Sequence, residues 1–132
     1  MAKVFGPGDA RTLSLPGRLS REIVSGGRGA ERVSFRLVEI APPKPGEPRR
    51  GPHVHQGFEE CIYVLAGAGV TETDGVEHRV QAGDTILIPP GELHVTHATG
   101  SEPLRLLCFF PVADVGSGTK EFSSWVEAGR AK

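Results

Sequence analysis

Glycine and proline interrupt this chain so often that no long helix can run through it. There are 18 glycines and 11 prolines in 132 residues, and the stretches between them are short, apolar and often alternating. Short runs of that kind, bounded by turn residues, read as β-strands rather than helices. Strands are expected at Thr12–Leu15, Arg21–Ser25, Glu31–Ile40, Gly51–His55 and Glu60–Ala66. Further strands are expected at Gly69–Thr73, Val76–Gln81, Thr85–Ile88, His94–Ala98 and Leu104–Val112. Asp74-Gly75 is a two-residue hairpin signal, because both positions tolerate positive φ. Ala41–Pro52, with five prolines, is excluded from a central strand and reads as a loop. Near the end, Phe122, Trp125 and Val126 fall at helical spacing, which predicts a short terminal helix over Lys120–Ala128. About ten strands at turn spacing define an all-β sandwich or barrel, in which closure removes exposed edges.

Length and composition limit the function classes. At 132 residues the chain is expected to form one domain, 1–132, with residues 1–10 as a flexible arm and 30–112 as the core barrel. Fifteen Lys+Arg against sixteen Asp+Glu leave no broad basic field, which argues against a nucleic-acid partner. No apolar run reaches the roughly 20 residues that span a bilayer, and the first residues lack a secretory h-region. No membrane partner and a cytoplasmic location are expected. Cys61 and Cys108 are too few for a disulfide framework and are read as reduced, buried thiols; Cys61 could line a site next to Glu60.

The chemistry concentrates in His53-Val54-His55-Gln56-Gly57-Phe58-Glu59-Glu60. On a strand, His53 and His55 point to one face, while Glu59 and Glu60 point to opposite faces. A distant third imidazole, His94, follows the rigid Pro89-Pro90-Gly91 turn. Three imidazoles and a carboxylate form a mixed N/O ligand set suited to a divalent transition metal.

These two stretches resemble the metal-binding motifs of the cupin superfamily. The first is matched by His53, His55, Glu60 and Gly67, the second by Gly83, Pro89, Gly91 and His94. Glu47 and Ala98 stand where those motifs carry glycine and asparagine. The resemblance implies a double-stranded β-helix, the jelly-roll barrel, with one divalent metal per chain held by His53, His55, Glu60 and His94. Fe(II) is favoured, with Mn, Ni, Zn or Cu as alternatives. It also implies a small-molecule substrate and a homodimer, with the N-terminal strands and the segment around Trp125 as candidate contacts. Family analogy favours an oxidative, dioxygenase-like enzyme with Glu60 also moving protons. A non-redox isomerase, lyase or cyclase, or a non-catalytic ligand-binding protein, are the alternatives.

Secondary candidates follow from strand parity. Thr96 and Ala98 share the face of His94, and Ile62 and Val64 that of Glu60, so all four are expected to line the pocket. Glu59, His97 and His78 are expected at the surface, and Tyr63 on the outer face. Val33, Phe35 and Leu37 share one face, with Phe35 and Leu37 expected in the core; Val38 and Ile40, also apolar, make a bulge or burial of both faces the alternative. Arg49 and Arg50 are read as solvated loop residues, the alternative being attraction of an anionic substrate at the pocket mouth.

Overall fold

The computed structural model describes residues 1–130, so residues 131–132 of the expected domain lie outside it. Eleven strands form two antiparallel sheets. The six-stranded sheet runs β1(Arg11–Leu15), β2(Arg18–Val24), β3(Ser34–Ile40), β10(Leu104–Phe110), β5(Glu60–Ala66) and β8(Thr85–Ile88). The five-stranded sheet runs β11(Thr119–Glu121), β4(His53–His55), β9(His94–Ala98), β6(Ala68–Thr73) and β7(Val76–Gln81). A single helix, α1(Trp125–Arg130), closes the described chain. This is the all-β jelly-roll with a short C-terminal helix. Among the described residues no helix is long and apolar enough to cross a membrane.

Chain order alternates between the sheets, which places sequence-distant strands side by side. β10 lies antiparallel between β3 and β5, with a shift of register against β5 between Arg105 and Leu106, and Leu106 stands opposite both Val38 and Val64. Their inward side chains, with Ile40, Ile62, Ile88 and Leu104, form the apolar core at one end of the barrel. Gly67 makes the β5–β6 turn at φ +85°, and a Cβ there would fall 2.5 Å from the Pro103 carbonyl oxygen. Only glycine fits both the left-handed backbone and the close approach. That is the physical reason for a glycine at this motif position.

Two expectations need correction. The helix expected over Lys120–Ala128 begins only at Trp125, because Thr119–Glu121 pairs with His53–His55 as an edge strand. Pairing with a partly bare strand outweighs local helix propensity over that stretch. In β3, the expected inward face is reversed. Ser34, Val38 and Ile40 are buried and Arg36 lines the interior, whereas Val33 is exposed and Phe35 and Leu37 are half-buried on the outer face. Both faces of β3 carry apolar residues, so the larger ones drew the assignment; the parity of Val38 and Ile40 was the correct signal.

Candidate metal centre

β4 presents His53 and His55 on its inner face, and antiparallel pairing sets His53 directly opposite His94 of β9. The rings of His53 and His94 are 4.2 Å apart, and each lies about 5 Å from His55 (5.0 and 5.2 Å). Glu60, the first residue of β5, completes the cluster from the opposite sheet. One ligand atom from each of the four residues lies within 4.8 Å of the others. His55, Glu60 and His94 are buried. Glu59 is exposed, as strand parity predicts.

The hydrogen bonds define which nitrogens face inward. His94 Nδ1 lies 2.9 Å from the Glu92 carbonyl oxygen, which only accepts, so Nδ1–H donates and Nε2 carries the lone pair. Thr119 Oγ1 gives its single proton to the Val115 carbonyl at 2.6 Å, so it accepts from His55 Nδ1–H at 2.8 Å. Both Nε2 atoms then point at the same Glu60 oxygen, from 3.2 and 3.1 Å. Two imidazole lone pairs facing a carboxylate oxygen repel unless a cation lies among them. A divalent metal meets that requirement, and the Glu92 and Thr119 contacts are the outer supports that metal-bound imidazoles use.

Burial opposes ionisation of Glu60, and positive charge at the two Nε2 positions, a proton on each ring or a metal in their place, overrides that and holds the carboxyl well below the usual carboxylate range. Burial and the adjacent His94 push His53 far below the usual imidazole range, so it stays neutral; its Nδ1 is buried without a protein partner. Burial and Glu60 hold Cys108 as a protonated thiol against the carboxylate.

The cluster lies in the wall of a cavity of about 260 Å³. Thr96 and Ile62 line it as expected, but Ala98 and Val64 pack in the core instead. The cysteine at the site is Cys108 rather than Cys61, which sits on the outer face of β5 beside Phe109. Arg50 corrects the solvated-loop reading. It is inside the cavity, donating from Nη2 to the Thr96 carbonyl at 2.7 Å, and burial with Arg18 lowers its pKa to about 10. Arg49 is outside, 65% exposed and paired with Glu72 at 2.8 Å. His97 points away from the cavity but is covered, 15% exposed, within 4.0 Å of Glu72. His78 is exposed, and Tyr63 lies 44% exposed on the outer face.

Sequence reasoning missed Arg18, Ser20, Arg36 and Thr119, all of which line the cavity. Parity along β2 and β3 could have found the first three. Thr119 has no local signal, because only the β11–β4 pairing brings it to His55.

A two-sheet β-barrel with three histidines and a glutamate converging on its inner wall is the architecture of a single-barrel cupin. A model of the Cupin domain family matches residues 40–110, more than half of the chain, and the chain belongs to that family. Protein SchB of Streptomyces halstedii is 38% identical over 71 residues, 54% of this chain and 51% of that protein. The oxalate-binding protein of Thermotoga maritima is 37% identical over 57 residues, 43% and 47% of the two chains. The matches thus span about half the length of these curated relatives. Among solved structures, the polyketide cyclase RemF from Streptomyces resistomycificus matches with a TM-score of 0.73 at 26% identity, covering 95% of this chain and 89% of that one. The Lactobacillus farciminis oxalate decarboxylase in its formate complex matches with a TM-score of 0.72 at 23% identity, covering 87% of this chain and 34% of that one, a likeness of fold.

Proposed function

We propose that this chain is a metal-dependent enzyme acting on a small polar organic substrate within one cupin domain. His53, His55, Glu60 and His94 hold one divalent transition metal. The observation that carries this reading is the convergence of their ligand atoms within 4.8 Å, with two nitrogens already oriented by Glu92 and Thr119. Fe(II), Mn, Ni, Zn and Cu all suit three imidazoles and a carboxylate. Bound there, the metal supplies Lewis acidity toward a carbonyl or hydroxyl oxygen of the substrate.

The chain's own residues do the rest. Thr119 and Glu92 fix the ring orientations of His55 and His94. Val38, Ile40 and Leu106 supply an apolar wall that excludes water from the reacting centre. Glu60, the only carboxylate of the cluster, takes or gives the proton that the reaction moves. Family analogy favours an oxidative reaction, but RemF, which matches 95% of this chain, is a polyketide cyclase, which supports the non-redox reading. We therefore place lyase or cyclase chemistry ahead of dioxygenation.

Elemental analysis of purified protein is expected to find about one metal per chain, lost in His55→Ala and His94→Ala. Protein that is metal-free and takes up no added metal refutes the centre. Turnover by Zn(II)-loaded protein, with no oxygen uptake by the Fe(II)-loaded form, is the result expected of non-redox chemistry. Oxygen consumption tied to substrate loss restores the oxidative reading, and unchanged ligand with either metal makes the protein a binding module.

A further inference from the structure

Four buried side-chain polar atoms of residues lining the metal-site cavity lack a protein hydrogen-bond partner among the described residues. One, His53 Nδ1, belongs to the metal cluster. The others are Ser20 Oγ on β2, Arg36 Nε on β3 and Arg50 Nη1 on the loop before β4. Buried polar atoms are nearly always satisfied, and each one left bare destabilises the fold when nothing binds it. Three such groups facing one cavity, all able to donate, describe a receptor for an acceptor-rich ligand.

Charge sharpens this. Arg18 is neutralised by Glu121 at 2.6 Å, and Arg36 stands 4.0 Å from Glu22 with its guanidinium over the Phe110 ring. Among the described residues Arg50 makes no ion pair; its Nη2 bonds a neutral carbonyl and Glu121 is already engaged by Arg18. A buried guanidinium without a carboxylate is costly, and an anionic ligand removes that cost. Glu60 belongs to the metal cluster and does not pair with Arg50.

We propose that the cavity selects a small organic anion, its carboxylate or comparable oxyanion received by Arg50, Arg36 and Ser20 while the rest of the molecule reaches the metal cluster. The cavity holds the liquid volume of about nine waters, which limits the ligand to a compact acid. Val38, Ile40 and Leu106 favour an apolar body between its two polar ends. This deepens the enzyme reading above and rests on it for the reaction, but the anion receptor exists in the protein whether or not metal is bound.

Calorimetric titration tests this on the full chain, both Zn(II)-loaded and metal-stripped. The probes are succinate and benzoate, with succinamide and benzamide as neutral counterparts. The carboxylates are expected to bind and the amides not. Arg50→Met is expected to weaken carboxylate binding roughly ten- to a hundredfold, the value of a charged hydrogen bond, with zinc content unchanged. Ser20→Ala, which removes only a buried hydroxyl, is expected to weaken it a few-fold while leaving the melting temperature unchanged or raised. Carboxylate affinity untouched in both variants places the anion on the metal alone and overturns the proposal, as does equal binding of amides or no carboxylate binding. If the protein takes no metal, the enzyme reading fails. Binding to the stripped form that Arg50→Met abolishes still upholds the receptor.

Discussion

At the scale of single residues, the barrel interior is set by which polar atoms have partners. His55 is held through Thr119, whose hydroxyl is in turn committed to Val115. Thr119→Val removes that acceptor with little change in volume, and metal affinity is expected to fall about ten- to a hundredfold, as for other supports of metal-bound imidazoles. Thr119→Ser is expected to restore it; competition titration with a chelator reads both. His97 gives a pH dependence. Burial, and then Arg49, hold it below the ordinary imidazole range. Its folded pKa is therefore below the unfolded value of about 6.5, so stability is complete above that pH and declines as pH falls toward the folded pKa. In His97→Gln the loss of stability between pH 7.5 and 5.5 is expected to be smaller, measured by urea denaturation. The cluster histidines contribute equally to both proteins and cancel in the comparison.

At the scale of elements, the last segment of the chain braces the first half of the metal motif. β11 pairs with β4, and Phe122 N–H donates to the Pro52 carbonyl at 2.9 Å. Trp125 and Ala128 then pack with Val54 and Leu93, and the Trp125 indole donates to Glu72 at 3.1 Å. Gly51 allows this, since a Cβ there would run into the Phe122 carbonyl and the Ser123–Ser124 backbone. Glycine is absent at position 47, where the resemblance placed it, and position 51 supplies the close approach instead. Gly51→Ala is expected to lift the segment away and cost about 1–3 kcal/mol in overpacking, read by thermal unfolding. Because Thr119 moves with the segment, metal affinity is expected to fall in the same variant.

For the whole molecule, the two sheets differ on their outer sides. Trp125 and Ala128 pack on Val54 and Leu93 beside the smaller sheet, and the Trp125 indole is committed to Glu72 of its own chain, so it is a poor candidate for the subunit contact that the resemblance suggested. The larger sheet instead exposes Tyr63, Leu65 and Leu87 (59%), beside half-buried Phe35, Leu37 and Phe109. Arg21, Glu39 and Arg105 border this apolar band with charges of both signs, as a self-complementary two-fold contact requires. This is the face on which the homodimer that the cupin resemblance implies would form. Light scattering is expected to show a dimer at micromolar concentration and a monomer for Leu87→Asp; a monomeric wild type refutes the dimer, and an unchanged variant refutes the face.

The sequence by itself determined the architecture and the four candidate metal ligands. Turn residues and period-2 apolar runs place the strands, parity puts His53 and His55 on one face and parts Glu60 from Glu59, and the resemblance to the cupin motifs joins Glu60 and His94 to the pair. Those signals are local, carried by covalent neighbours and the pleat. What the tertiary structure alone decided is what surrounds the ligands. β3 has apolar residues on both faces, so only its place between β2 and β10 settles that Arg36 turns inward. Arg50 lies in a loop without periodicity, and Thr119 reaches His55 from sixty-four residues away along the chain. Burial, charge pairing and close approach depend on which segments meet, and that is a property of the closed barrel rather than of any stretch within it.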